Sequence, residues 1–278
     1  MVINQKDRSL AMLNALLMKQ TRIVLPGVVV ACLGVVSCGT TFPNFSAWDE
    51  DLPPIHEFPP SKAPVVIHRG SIGLDTDSRY EARAREARLN PEMLWGAYHL
   101  CTGDGIHSQL NTFLKSIGYA KDGAYRTVVV LDLESCGPRR GDITIPDLAS
   151  LARMLHERTG VYPIIYVNPY QANRRLRTEE HSRRDIATLS QCPLWTSSWT
   201  YHPRTKKIPG VPAWDPWDLW QYAGDAGEEG FRSSNPLYRF KYPRGIRGVG
   251  DKLEMNFYPG SAQELRTFLG QHSVPVKF

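Results

Sequence analysis

Thr127-Val-Val-Val-Leu-Asp-Leu-Glu134 is an apolar run that ends in two carboxylates one residue apart. Its β-branched residues suit a buried strand. Successive side chains of a strand alternate between faces, so Asp132 and Glu134 share one face at the C-terminal end. Two carboxyls in one apolar pocket cannot both ionise cheaply. One pKa has to rise, as a general acid working near neutral pH requires. An acid pair at a strand end also serves as a loop cap or a satisfied ion pair, so its chemistry depends on what the rest of the chain brings beside it.

Strand and helix patterns alternate on both sides of this stretch. Residues 64–69 and 94–100 read as strands, each followed by a helix, over 77–89 and over 106–117, the second with Leu110, Phe113, Leu114 and Ile117 on one face. Downstream, Pro146 opens a helix that Gly160 stops. Residues 162–168 and 193–199 are strands with a helix over 179–189 between them. Strands over 217–222 and 252–257 follow, separated by an insertion over 224–250 that reads as a surface lobe, and a helix over 262–269 comes last. With a first strand over 42–48 these make eight strand candidates, without an internal repeat or a second domain.

Such alternation builds a parallel barrel or a doubly wound sheet. The polar residues favour the barrel. Arg69, His99, Asp132, Glu134, Asn168, Trp199 and Gln221 fall at or near the C-terminal ends of different strands, and a closed (β/α) barrel gathers those ends at one mouth. Aromatic residues at the same ends, among them Tyr98, Tyr166, Trp195, Trp220 and Tyr222, suit stacking on sugar faces, although each alone is an ordinary core residue.

With 278 residues, 42% hydrophobic and 22% charged, the chain can bury one large α/β core. Its amino terminus stands apart. Lys19 and Arg22 precede the uncharged run 23–36, too short for a membrane span, and Val35-Val36-Ser37-Cys38 matches the cleavage pattern of a bacterial lipoprotein signal. The expected organisation is a signal peptide over 1–37, then a lipidated Cys38 with a Pro-rich tether and the first strand over 38–63, then the rest of a single barrel domain over 64–278, the barrel beginning near residue 42. Met18, just before the basic residues, offers a second start.

Loss of 1–37 removes four basic residues and one acidic residue and takes the net charge from +5 to +2. The remaining basic clusters, Arg174-Arg175-Leu176-Arg177 and Arg183-Arg184, read as a solvated loop and helix face, so nucleic acid is not an expected partner. Cys101, Cys136 and Cys192 allow at most one disulfide with one free thiol and have no zinc-binding spacing.

In chain order, Val66-Ile-His-Arg-Gly-Ser71 with Gly73, Asp77-Ser-Arg-Tyr80, Trp95-Gly-Ala-Tyr-His99, Val130-Leu-Asp-Leu-Glu134, Ile165-Tyr-Val-Asn168, Leu194-Trp195, Leu219-Trp-Gln-Tyr222 and Met255-Asn256 with Gly260-Ser261 resemble the glycoside hydrolase family 25 lysozymes over residues 42–270. The resemblance implies an irregular (β/α) barrel. It also implies hydrolysis of the β-1,4 bond between N-acetylmuramic acid and N-acetylglucosamine in peptidoglycan, without metal or organic cofactor. Glu134 matches the general acid that protonates the leaving oxygen. Asp132 matches its carboxylate partner, which would orient the sugar's 2-acetamido group so that the acetamido oxygen attacks the anomeric carbon. The substrate-binding residues expected around them are Asn44, Arg69, Tyr98, His99, Tyr166, Asn168, Trp195, Trp199, Gln221, Tyr222 and Glu254.

Two of these depart from the family pattern, which has an aspartate on the first strand and another on the last. Here Asn44, or alternatively Asp49 or Asp51, stands at the first and Glu254 at the last. Asn44 keeps hydrogen bonding and loses charge, whereas Glu254 keeps charge and reaches one methylene further. A non-catalytic peptidoglycan-binding lipoprotein on the same fold, or a hydrolase of another N-acetylated glycan such as chitin, is the alternative reading. The expected partners are peptidoglycan glycan strands and, through Cys38, a membrane, with the chain itself a monomer. Its expected place is the periplasmic face of the bacterial cell envelope, and Gly39, where an aspartate would signal inner-membrane retention, points to the outer membrane.

Overall fold

Eight strands close into a barrel: β1 (Thr40–Phe45), β2 (Val65–Ile72), β3 (Leu94–Leu100), β4 (Tyr125–Leu133), β5 (Ile164–Val167), β6 (Leu194–Ser197), β7 (Leu219–Gly224) and β8 (Glu254–Tyr258). In this computed structural model residues 39–200, 202, 210–224, 229–231 and 241–278 are described. They belong to one unit, Ser37–Phe278. The expected signal peptide and Cys38 lie outside the described residues. Neighbouring strands from β1 to β7 run parallel. β8 is antiparallel to both β7 and β1 and completes the ring. A further strand, β9 (Ser273–Val276), pairs antiparallel with the beginning of β4.

The two-residue period sorts the strand side chains into two packed layers. Phe42, Val65, Ile67, Val128, Val130, Ile164, Tyr166, Trp195 and Leu219 fill the barrel interior. Their neighbours Val66, Ala97, Val129, Leu131, Leu133, Ile165 and Val167 point outward into the core shared with the helices. Gly96, the glycine of the Gly-Ala-Tyr-His segment, faces inward. A Cβ there would lie 3.0 Å from Ile67 and 3.1 Å from Val128, so any larger residue would have to push those two branched side chains aside.

Helices α1 (Tyr80–Ala87), α2 (Ile106–Ser116) and α3 (Ile145–Thr159) follow β2, β3 and β4 in turn. Thr144 caps α3 and Gly160 ends it in the left-handed region at φ 78°. After β5 come two helices, α4 (Pro169–Thr178) and α5 (Arg183–Leu189), where the sequence pattern gives a loop and then one helix over 179–189. The reason is Arg175. It occupies the position on α4 that an apolar residue would mark, 3% exposed and ion-paired with Glu179 at 2.7 Å, so the helical stripe reads as a charged run. The Arg174–Arg177 cluster is therefore not a solvated loop.

The last helix, α6 (Ala262–Gln271), starts at a capping box between Ser261 and Glu264. Its Leu265 and Leu269 join the interior cluster with Val65, Ile164 and Leu219 and close the barrel at the N-terminal ends of those strands. Each such leucine contributes about 1.5–3 kcal/mol by leaving water. The described part of the 224–250 insertion also differs from a surface lobe. Tyr242 packs against Trp220, Tyr222 and Phe257 on the outer face of β7 and β8, and Ile246 and Val249 are buried with it.

Candidate active site

With α6 at one end, the barrel opens at the other into a pocket lined by residues from seven of its strands or the turns just past them. Asp132 and Glu134, at the end of β4, stand between Tyr98 on β3 and Tyr166 on β5. Trp195 on β6 and Trp199 just past it form a further wall with Gln221 of β7, and Glu254 and Asn44 close the circle from β8 and β1. These residues project inward because they share the parity of the interior cluster on their strands.

Asp132 is 5% exposed, and its Oδ1 has no hydrogen-bond partner among the described residues. Burial, and after it the charges of Glu134 and Glu254, hold its carboxyl well above the ordinary carboxylate range, against the opposing pull of Arg69. A buried carboxyl oxygen without a donor is costly, and a ligand N–H or O–H placed there would recover that cost. Burial also holds the phenols of Tyr98 and Tyr166 well above their usual value, with neighbouring carboxylates adding to the shift, so both stay protonated and able to donate.

Asn44 and Glu254 sit opposite each other in the β1–β8 register, and the Asn44 amide nitrogen donates to the Glu254 carboxylate. The amide oxygen of Asn44 accepts from Gln221 at 3.1 Å and from Asn256 at 2.9 Å. Gln221 in turn accepts from the Tyr166 hydroxyl at 2.7 Å and from the Trp199 indole at 3.1 Å, while Asn256 accepts from the Trp195 indole at 3.0 Å. One hydrogen-bonded chain thus sets the rings that wall the pocket. An aspartate at 44 would have no N–H for Glu254 and would place a second carboxylate against it, so the neutral amide and the longer acid suit each other.

The family model for glycosyl hydrolases family 25 matches residues 61–231, more than half of the chain. The chain belongs to this family. It is accordingly a glycoside hydrolase, and the match includes Asp132 and Glu134 but not Asn44 or Glu254, the two departures. Among solved structures the chain is similar to a bacterial lysozyme from Streptomyces coelicolor, with a TM-score of 0.60 and 18% identity over 84% of this chain and 97% of that one. A muramidase from Acremonium alcalophilum has a TM-score of 0.59 and 17% identity over 83% of this chain and 98% of that one. A family 25 lysozyme from Aspergillus fumigatus has a TM-score of 0.59 and 18% identity over 83% and 98% of the two chains. At these identities the likeness is one of fold. No curated protein matches the chain.

Four of the residues expected to touch substrate in this family 25 hydrolase do not line its pocket. His99 points outward from β3, wholly buried, bonded to Ser71 at 2.8 Å and Gln109 at 3.1 Å and packed on Phe113. Burial lowers its pKa to about 4, so it is a neutral core residue. Tyr222 likewise faces outward from β7 and donates to the Pro243 carbonyl at 2.5 Å. Asn168 caps α4, its side chain accepting from the Tyr170 amide at 2.8 Å. Arg69 is ion-paired with Asp77 at 2.9 Å and acts on Asp132 through its charge.

Asn44, rather than Asp49 or Asp51, lines the pocket. The Asp49 carboxylate turns back to accept from the Ser46 amide at 2.7 Å. Asn256 is a member of the polar chain that stands in the Met255-Asn256 motif but not among the expected substrate-binding residues. Its signal was present, two residues past Glu254 and so on the same strand face. Cys101, Cys136 and Cys192 are free thiols, and burial pushes Cys136 up to about 11.

Proposed function

We propose that this hydrolase cleaves the β-1,4 bond between N-acetylmuramic acid and N-acetylglucosamine in peptidoglycan. The observation that carries the reading is Asp132, a buried carboxyl with an open acceptor, two residues from Glu134 in an aromatic-walled pocket. Asp132 accepts the N–H of the 2-acetamido group and turns its oxygen onto the anomeric carbon. As that C–O bond forms, the glycosidic C–O bond breaks and Glu134 gives its proton to the departing sugar oxygen. Water, deprotonated by Glu134, then opens the cyclic intermediate and restores both carboxyls. The phenols of Tyr98 and Tyr166 and the indoles of Trp195 and Trp199 hold the sugar. The lysozyme and muramidase names of the similar structures support this choice of substrate.

The test is the identity of the new reducing ends after purified sacculi are treated with the protein. Borohydride reduction should label N-acetylmuramic acid. Label on N-acetylglucosamine, or faster cleavage of chitin oligomers than of sacculi, would reject the assignment. The Asn44–Glu254 contact, in place of two acids, favours a second reading as a glycan-binding protein, for which co-sedimentation with sacculi without release of ends is the expected result.

We further place the chain, as a monomer, at the periplasmic face of the envelope, favouring the outer membrane, with a lipid on Cys38. The basic, apolar and Ser37-Cys38 succession supports this. Full-length protein should take up labelled palmitate in cells and Cys38→Ser should not. Equal labelling of the two rejects the anchor.

A further inference from the structure

Two aromatic side chains are left in water at the mouth of the barrel. Trp48 is 82% exposed and Tyr170 is 71% exposed, and neither ring is in contact with another ring or a cation among the described residues. Trp48 comes three residues after the end of β1 and Tyr170 three residues after the end of β5. β1 and β5 are four strands apart in either direction around the closed ring, so the two residues are attached on opposite sides of the opening. Each also lies four residues past a residue of the pocket wall, Asn44 and Tyr166. Among the described residues the other exposed large aromatic, Tyr125, lies at the far end of β4 and is covered by the Arg88 guanidinium at 4.1 Å.

Both backbones are held in place. The Trp48 amide donates to the Ser46 hydroxyl at 3.2 Å, as the Tyr170 amide does to Asn168. The turn that carries Trp48 is anchored by buried charges: Asp77 accepts from the Ala47 amide at 3.0 Å, and Arg83 donates to the Ser46 carbonyl at 2.9 Å and to the Asp49 carbonyl. A large ring left in water on a fixed backbone costs the fold solvation and returns no packing. Exposed aromatics of this kind contribute binding energy when a ligand covers them.

We infer that Trp48 and Tyr170 are outer sugar platforms that carry a glycan strand beyond the cleaved linkage on both sides of the pocket. The inference rests on the hydrolase reading above and adds a preference for long strands. Asn168, expected to bind substrate itself, then acts as the residue that positions Tyr170.

The experiment compares kcat/KM of the full chain on long uncrosslinked glycan strands with kcat/KM on a tetrasaccharide of the same repeat. Trp48→Ala and Tyr170→Ala should each lower the ratio of long to short substrate about three- to tenfold, through KM. Trp48→Phe and Tyr170→Phe, which keep a stacking face, should restore most of it. Equal losses on both substrates, or an unchanged ratio, overturn the inference. So does loss of binding to anionic lipid vesicles in Trp48→Ala with the ratio unchanged, which would assign the ring to a membrane surface. If the wild type cleaves neither substrate, the hydrolase reading fails instead, and co-sedimentation of the same Ala variants with sacculi decides about the platforms.

Discussion

Glu134→Gln should lower kcat on sacculi by about 10²–10⁴-fold, the range that loss of a positioned general acid covers. The amide keeps the shape and hydrogen-bonding reach of the side chain but has no proton of suitable acidity to give to the departing oxygen. KM should change little, because the walls formed by Tyr98, Tyr166, Trp195 and Trp199 remain, and the variant should still sediment with sacculi. The thermal midpoint should stay near that of the wild type. Reducing-end release measured beside a melting curve checks the expectation, and a variant that keeps more than a tenth of wild-type kcat removes Glu134 from the proton-transfer step.

Asp132→Asn should act in opposite directions on activity and on stability. The pKa of Asp132 in the fold lies well above its value of 3.8 in the unfolded chain, first because it is buried and then because Glu134 and Glu254 are near. A group with a raised folded pKa contributes stability that is fully present below the unfolded value and is lost as pH rises through the folded one. As pH rises from the unfolded value toward neutrality, therefore, Asp132 works increasingly against the fold. Asparagine removes the titrating group at nearly constant shape, so the thermal midpoint should rise at pH 7 and the gain should vanish below about pH 4.

Activity should fall about 10²–10³-fold in the same variant, because an amide cannot hold the acetamido N–H as a carboxylate does while charge builds at the anomeric carbon. The acidic limb of the wild-type pH profile should lie above the ordinary carboxylate range and report the carboxylate cluster as a whole. Melting curves at pH 4 and pH 7 beside kcat decide the matter. A less stable variant, or one with wild-type kcat, would refute the role given to Asp132.

How much of this was legible in the chain depends on the range over which each signal acts. Alternating strands and helices, the capped ends of α3 and the shared face of Asp132 and Glu134 follow from contacts within a few residues, and they lead to the barrel and its acid pair directly. The family motifs then place the chemistry. What the chain order hides is which of two neighbouring residues turns inward. Strands of a barrel are buried on both faces, so apolar side chains run continuously and the two-residue alternation disappears from the pattern. Tyr98 and His99, or Gln221 and Tyr222, look equally suited to a site until the register of the ring sends the first of each pair to the pocket and the second to the outer core. The strands could be read because their propensity is local. The polar chain joining Asn44, Gln221, Glu254 and Asn256, and the exposure of Trp48 and Tyr170 across the mouth, exist only once the ring has closed, because closure brings β1 against β8 and puts residues some 200 positions apart within hydrogen-bond reach.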